Sequence, residues 1–292
     1  MIFSTILSIL TPVFTCVLIG YFWVRSGRSY DTELITALVT LFGAPCLVFY
    51  SLSSVELHPQ HLIHMGLAAV FANIAFLALG WLGLSLLHLP KQAFLQALSF
   101  PNIGNVGLPL CFLTFGEEGL ALGITFFAVY MAIQMTFGVV FVSQTFSLWA
   151  ILKTPIIPAT LAAALFLMTG TAPPKWLYNT TKLIGDLTIP LMLITLGVSL
   201  YKLKITQLKI PVQLSVFRLL MGFLVGLTLP KLMGLDGTAA SVILLQCSMP
   251  AAVFCYLLAQ MYDQRPEEVA GVVIVSTIMG FSLLPFLLWY VL

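Results

Sequence analysis

The sequence predicts an all-α polytopic membrane protein of ten transmembrane helices, built as two inverted halves of five. Three observations predict it: a composition too apolar for a water-facing surface, ten apolar runs of about span length, and landmarks that recur in order along the chain. The 292 residues are 60% hydrophobic and only 8% charged, with a mean hydropathy of +1.09. A soluble domain carries about 25% charged residues, so this chain cannot clothe itself for water. The net charge of +2 is too small to point to nucleic acid as a partner. No GxxxxGK[ST] loop occurs, so the chain carries no ATP motor of that kind.

A helix needs about 20 apolar residues to cross the hydrocarbon core. Five such runs cover roughly 2–24, 33–54, 62–87, 92–114 and 118–146. Five more cover roughly 154–170, 178–201, 209–233, 238–261 and 268–291, the sixth being the shortest. Loops are short and no low-complexity linker separates the runs, so the expectation is one compact bundle. The first run has no basic residues before it, and Arg25 and Arg28 follow it. It reads as a retained first span rather than a cleaved signal peptide.

Orientation follows from lysine and arginine. Loops on one side hold Arg25, Arg28, Lys91, Lys153, Lys202, Lys204, Lys209 and Arg265; the other side holds Lys175, Lys182 and Lys231. The basic side is the cytoplasmic one, which places both termini outside a cell membrane.

The halves 1–150 and 151–292 echo each other. APCLVFYSLSS at 44–54 is matched by IPLMLITLGVS at 189–199, with Pro45 and Pro190 145 positions apart. FPN at 100–102 and MPA at 249–251 are 149 apart, and EEG at 117–119 and EEV at 267–269 are 150 apart. Pro12 and Pro158 fall early in the first and sixth runs. An odd number of spans per repeat inserts the second copy upside down, as in many secondary transporters.

The fourth run contains PNIGNVGLP, from Pro101 to Pro109. A proline inside a helix costs about 3 kcal/mol and each glycine about 1 kcal/mol. Backbone groups left unpaired in hydrocarbon cost several kcal/mol more, so such a break belongs beside other helices or a wet cavity. Pro101, Gly104, Gly107 and Pro109 therefore mark a helix break. The repeat places a second break at Pro250, within QCSMPAAVFCY. Two interrupted helices in corresponding positions point to a binding site at the membrane midplane. Asn102 and Asn105 offer amide donors and acceptors there, and Gln246, Ser248 and Tyr256 offer polar groups from the second break. Half-helix N-termini favour an anion, while freed carbonyls could hold a cation.

Charges within the runs are few. Arg218 lies mid-way along the eighth run, and a shift of 145 positions lands on Asn73 in the third. A charge at that depth costs about 2.5–3.5 kcal/mol on insertion scales. Arg218 reads either as an anion counter-charge or as a fixed positive charge replacing a coupling cation, or as a structural partner of a carboxylate or of freed carbonyls. Asp186 lies four residues after Lys182 and four before Pro190. It reads as an i,i+4 ion pair or as a proton or cation site. Glu117, Glu118, Glu267 and Glu268 suit helix N-termini. Gln134 and Tyr130 in the fifth run reach toward the cavity. Cys16, Cys46, Cys111, Cys247 and Cys255 form no CxxC and read as small buried hydrophobes. His58, His61, His64 and His88 lie near run ends without cysteine or carboxylate partners, so HPQHLIH marks an interface rather than a metal site.

PNIGNVGLPL resembles the fourth-helix signature of the auxin efflux carrier family, a Pro-Asn pair followed by Gly-x-Pro-Leu, at Pro101, Asn102, Gly107, Pro109 and Leu110. MPAAVFCYLLAQMY at 249–262 is similar to its ninth-helix counterpart. Plant members carry a long hydrophilic loop between the halves; this chain has a short connection near Lys153, as a compact prokaryotic member would. The resemblance implies a crossed-helix fold like that of bile-acid/sodium symporters and sodium/proton antiporters. It implies a scaffold of spans one, two, six and seven and a core of three to five and eight to ten that moves against it. It also implies a homodimer through the scaffold, and small organic anions as substrates, auxin-like or malate- and malonate-like. By position Asn102, Pro101 and Pro250 match the family's substrate-contacting crossing.

The leading expectation is thus a secondary or facilitative organic-anion transporter with no cofactor, its coupling to proton or sodium open. The alternative is a cation or proton exchanger, or a channel, on a related fold; the sequence shows no filter motif or acidic ring. An intramembrane enzyme would need a nucleophile–base set or metal ligands at depth, and neither HExxH nor GxSxG occurs.

Overall fold

A computed structural model of the chain describes residues 2–54, 59–134, 155–169, 171–203 and 207–292. His58, Lys153, Lys204 and the stretch 135–146 of the expected fifth span lie outside the described residues.

Among the described residues the regular structure is helical, with one isolated antiparallel bridge besides. In chain order the α-helices are α1 (Ile2–Arg25), α2 (Thr32–Leu38), α3 (Ala44–Ser54), α4 (Pro59–Leu86), α5 (Lys91–Ser99), α6 (Leu108–Ile133), α7 (Ile156–Thr169), α8 (Lys175–Asp186), α9 (Thr188–Lys202), α10 (Lys209–Met233), α11 (Gly237–Cys247), α12 (Val253–Met261) and α13 (Pro266–Val291). Among the described residues seven stretches are long and apolar enough to cross a membrane: Ile2–Arg25, Thr32–Ser53, Gln60–Leu86, Ile103–Ile133, Lys175–Lys202, Lys209–Met233 and Pro266–Val291. Two further apolar helices, Ile156–Phe166 and Gly237–Cys247, are shorter.

Helix ends follow local chemistry. Asp31 caps α2, its Oδ1 accepting the Leu34 N–H at 2.9 Å. The α10 helix stops at Gly234, whose left-handed φ of 66° a side chain would resist. Pro266 in the first turn of α13, with Glu267 and Glu268, suits a helix start. Two π-turns, Val39–Gly43 and Ile103–Gly107, each end on a glycine two residues before a proline, Pro45 and Pro109. A proline ring collides with the carbonyl four residues back; the wider π-turn moves that carbonyl aside. Pro109 thus sits in the first turn of α6 and continues a helix rather than ending one.

The helices pack in two groups. In one, α1 lies along α9, and α3 against α7 and α8. In the other, α4, α6, α10, α11 and α13 pack together, with α5 on α4 and α12 on α13. The α1–α9 contact is backbone on backbone. A Cβ at Gly20 would run into the Ile194 carbonyl, and one at Gly197 into the Val17 carbonyl. In lipid, where apolar surface gains little by leaving the solvent, such close approach is what holds helices together.

Candidate functional site

The α5 helix ends at Ser99 because the residue before a proline avoids helical backbone, and Phe100 is extended at φ −110° and ψ 98°. The α11 helix ends at Cys247, three residues before Pro250. The two stretches that follow these helices cross and pair. Pro101 and Ala251 form the antiparallel bridge. The Asn102 N–H donates to the Pro250 carbonyl at 2.7 Å, and the Ala252 N–H to the Phe100 carbonyl at 3.0 Å. Pro101 occupies the position whose N–H the ladder does not use, so its missing donor costs nothing there. The Ala251 N–H donates instead to Ser276 Oγ of α13 at 3.1 Å.

The carbonyls freed at the two broken ends are also taken up. The Tyr130 hydroxyl donates to the Ser99 carbonyl of α5 at 2.6 Å. Arg218 Nη2 donates to the Cys247 carbonyl of α11 at 2.9 Å and to the Met249 carbonyl at 3.2 Å. One broken C-terminus is thus capped by a phenol and the other by a guanidinium, whose charge complements the helix dipole.

A cavity of about 430 Å³ lies against the crossing. Pro101, Asn102, Gly104 and Asn105 line it from the first break, and Val253, Tyr256 and Gln260 from the start and length of α12. Met192, Thr195, Ser199 and Lys202 of α9 face them across the space, with Thr32, Glu33 and Thr36 of α2. Thr32, Lys202 and Gln260 lie at helix ends that adjoin the basic loops, so the space runs from the crossing toward that side. Lys202 Nζ is held by Thr32 Oγ1 at 2.8 Å and the Tyr30 carbonyl at 3.3 Å, and the Tyr30 and Thr195 hydroxyls share a bond of 2.7 Å.

Asn102 is the chemically pointed residue of this cavity. It is 4% exposed, and its side-chain Nδ2 has no hydrogen-bond partner in the protein. A buried amide donor without a partner carries a penalty of about 1–3 kcal/mol, which an arriving acceptor relieves.

The expected site residues divide between places. Pro101, Asn102, Gly104, Asn105 and Tyr256 line the cavity, as does Gln134 of the expected fifth span. Gln246, Ser248 and Pro250 do not. Gln246 is fully buried behind the crossing: its Oε1 fills the space a Cβ at Gly107 would need, and its Nε2 lies 3.4 Å from the Gly123 carbonyl. Gly107 is therefore a packing requirement of Gln246. Ser248 and Pro250 border a separate apolar cleft of about 440 Å³ between α10 and α13. The reason is rotational: α11 and the turn after it show the cavity only residues beyond Ala251. Tyr130 points away as well, to Ser99.

Arg218 is fully buried, its guanidinium 4.5 Å from the centre of the Phe76 ring. Asn73 lies one turn before Phe76 on α4 and is also buried. Neither lines the cavity. Asp186, at the end of α8, pairs with Lys182 at 3.4 Å and accepts the Tyr50 hydroxyl at 2.9 Å, on the half-exposed side of that helix. Ser276, Thr195 and Lys202 were not singled out as site residues from sequence. Ser276 and Thr195 are ordinary polar residues in apolar helices, and Lys202 reads only as a topology marker.

A bundle of long apolar helices around a largely apolar cavity beside the paired chain segments is the architecture of a multi-pass membrane protein. A family model described as membrane transport protein matches residues 5–145 and 139–290. The chain belongs to this auxin efflux carrier-like family. It is also similar to an uncharacterized transporter of Methanocaldococcus jannaschii, 25% identical over 95% of each chain.

Proposed function

We propose that this protein is a secondary or facilitative carrier of small organic anions, carboxylates of the auxin-like or malate- and malonate-like kind. The observation that carries the reading is the buried, unpartnered amide of Asn102, a residue that lines the cavity beside the Pro101–Ala251 bridge. A carboxylate supplies the acceptor that Asn102 Nδ2 lacks, and Asn105, Tyr256 and Lys202 add donors along the same space. The space is largely apolar otherwise, which suits an anion with a hydrocarbon or aromatic body.

In this reading the chain spans the cell membrane ten times as two inverted repeats, 1–150 and 151–292, with both termini outside. The short helices α7 and α11–α12 add two spans, and the tenth comes from the break in α6 at Gly116, with its non-helical φ of 64° and ψ of −150°: α5 and the residues up to Gly116 form the fourth span and the rest of α6 begins the fifth. The group containing α1, α3 and α9 is the scaffold, and the group containing α4–α6 and α10–α13 is the moving core. The cavity lies where the two meet, so sliding one past the other would carry Asn102 between the two faces of the membrane. The exposed apolar face of α1, with Phe3, Leu7 and Leu18, suits a scaffold-to-scaffold dimer.

The test is electrophysiology on solid-supported membranes bearing the reconstituted protein. Malate, malonate, lactate and indole-3-acetate are applied in turn. The reading expects a saturable current, or saturable isotope uptake for an electroneutral anion, with at least one of them. No response to any of the four by either method contradicts it.

A further inference from the structure

Arg218 poses a problem that anion binding does not solve. It is the largest fully buried side chain described in the protein, and it lies outside the cavity. Among the described residues no carboxylate pairs with it. Two of its nitrogens, Nε and Nη1, have no hydrogen-bond partner. A full positive charge at this depth is costly, so its surroundings must supply negative potential. They do so through the C-terminal dipole of α11, the Cys247 and Met249 carbonyls, and the face of Phe76.

Backbone carbonyls at the C-terminal end of a broken helix are the chemistry by which carriers coordinate a coupling cation. Here that place is taken. The approach is also built for it: a Cβ at Gly222, one turn along α10 from Arg218, would overlap the Cys247 carbonyl. Glycine at 222 brings α11 close enough for the guanidinium to reach both carbonyls. The Tyr130 hydroxyl lies close enough to interact electrostatically with the guanidinium.

We infer that Arg218 is a resident cation: a covalently attached guanidinium occupies the place of an exchangeable metal cation behind the crossing. It fixes the Met249 backbone, and through it Pro250 and Asn102. The crossing is therefore assembled without sodium. Removing the guanidinium leaves carbonyl oxygens with space between them and turns the place into a site for a small monovalent cation. Arg218 is in this sense a positioning residue that acts on the anion through Asn102. The inference rests on the anion-carrier reading for its transport consequences, but its binding consequence stands apart from any substrate.

The experiment compares purified wild type, Arg218→Lys, Arg218→Gln and Arg218→Ala in sodium chloride and in choline chloride at equal ionic strength. Thermal stability in detergent is read first, because it needs no substrate. Wild type and Arg218→Lys are expected to melt at the same temperature in both salts. Arg218→Ala and Arg218→Gln are expected to melt lower in choline and to recover part of the loss as sodium rises, with saturation. Carboxylate transport in proteoliposomes is read second. The wild-type rate is expected to be indifferent to sodium, and the Ala and Gln variants to fall more than about tenfold in choline and to regain rate in sodium.

A wild-type protein stabilised or accelerated several-fold by sodium overturns the inference. So does an equal sodium response in the Lys and Gln variants, or a Gln variant with no sodium response. Should Arg218→Ala fail to fold, the contrast between Lys and Gln carries the test. Should no carboxylate be moved by wild type, the carrier reading fails, and the melting experiment still decides the role of Arg218.

Discussion

The backbone N–H of Asn102 donates to the carbonyl of Pro250 at 2.7 Å, across 148 positions of sequence. That bond and its partner from Ala252 to Phe100 tie two interrupted helices at the level where each would otherwise leave backbone groups bare. Both prolines serve this arrangement, one by occupying the unused donor position and the other by lending its carbonyl. Replacing Pro101 with alanine removes the bar on helical backbone at Phe100. The expected outcome is faster hydrogen exchange at the Asn102 and Ala252 amides, read by mass spectrometry, in a protein that still inserts. Unchanged protection would mean that the ladder does not depend on the proline.

Gly107 and Gln246 form a second pairing of the two halves. A methyl group at 107 overlaps Gln246 Oε1, the end of a side chain that is itself fully buried. Gly107→Ala is predicted to destabilise the protein by roughly 1–3 kcal/mol, and adding Gln246→Ala to recover a large part of it. Additive losses in thermal melts of the singles and the double would show that the two residues do not meet.

The α1–α9 contact makes a separate prediction. Alanine at Gly20 or Gly197 would push one backbone off the other, because the obstacle in each case is a carbonyl rather than a movable side chain. Each substitution is expected to lower stability by roughly 1–3 kcal/mol. If the scaffold must stay rigid while the core moves, each should also slow transport at matched expression. Alanine at Gly66, whose Cβ would make only ordinary contact with Val129, serves as the tolerant control.

Asp186 is predicted to be dispensable for carrying substrate. It lies outside the cavity and is satisfied by Lys182 and Tyr50. Asp186→Asn should leave the dependence of transport on pH and sodium unchanged. Tyr50→Phe should cost about 1 kcal/mol of stability, the worth of one hydrogen bond. A shift of the pH profile in Asp186→Asn would return this carboxylate to the coupling machinery.

The membrane class was legible in the sequence because it is written in composition, and the end of α5 before Pro101 because it is written in local backbone chemistry. Of PNIGNVGLP only Pro101 and Asn102 leave the helix, the π-turn Ile103–Gly107 leading directly into α6, and Asn102 is the polar residue nearest Pro101. The division of residues around the second break was not legible. Gln246, Ser248 and Tyr256 look alike as polar residues near Pro250, but only Tyr256 reaches the cavity. Which face a side chain presents depends on the rotation of α11 and α12, and the turn between them sets that rotation. Pro109 was misleading for the opposite reason. A π-turn absorbs its clash, and periodicity gives no sign of one. Arg218 was visible as a costly charge, yet its partners are backbone carbonyls, which no sequence pattern marks.

The most direct test of the account is equilibrium binding of a transported carboxylate to wild type and to Asn102→Ala, with melting temperature measured on the same samples. The account predicts affinity weaker by about tenfold or more in Asn102→Ala, the loss expected for one hydrogen bond to a charged group, with little change in melting temperature. Equal affinity in the two proteins would contradict it, since the unpartnered amide at the crossing would then have no part in holding the anion.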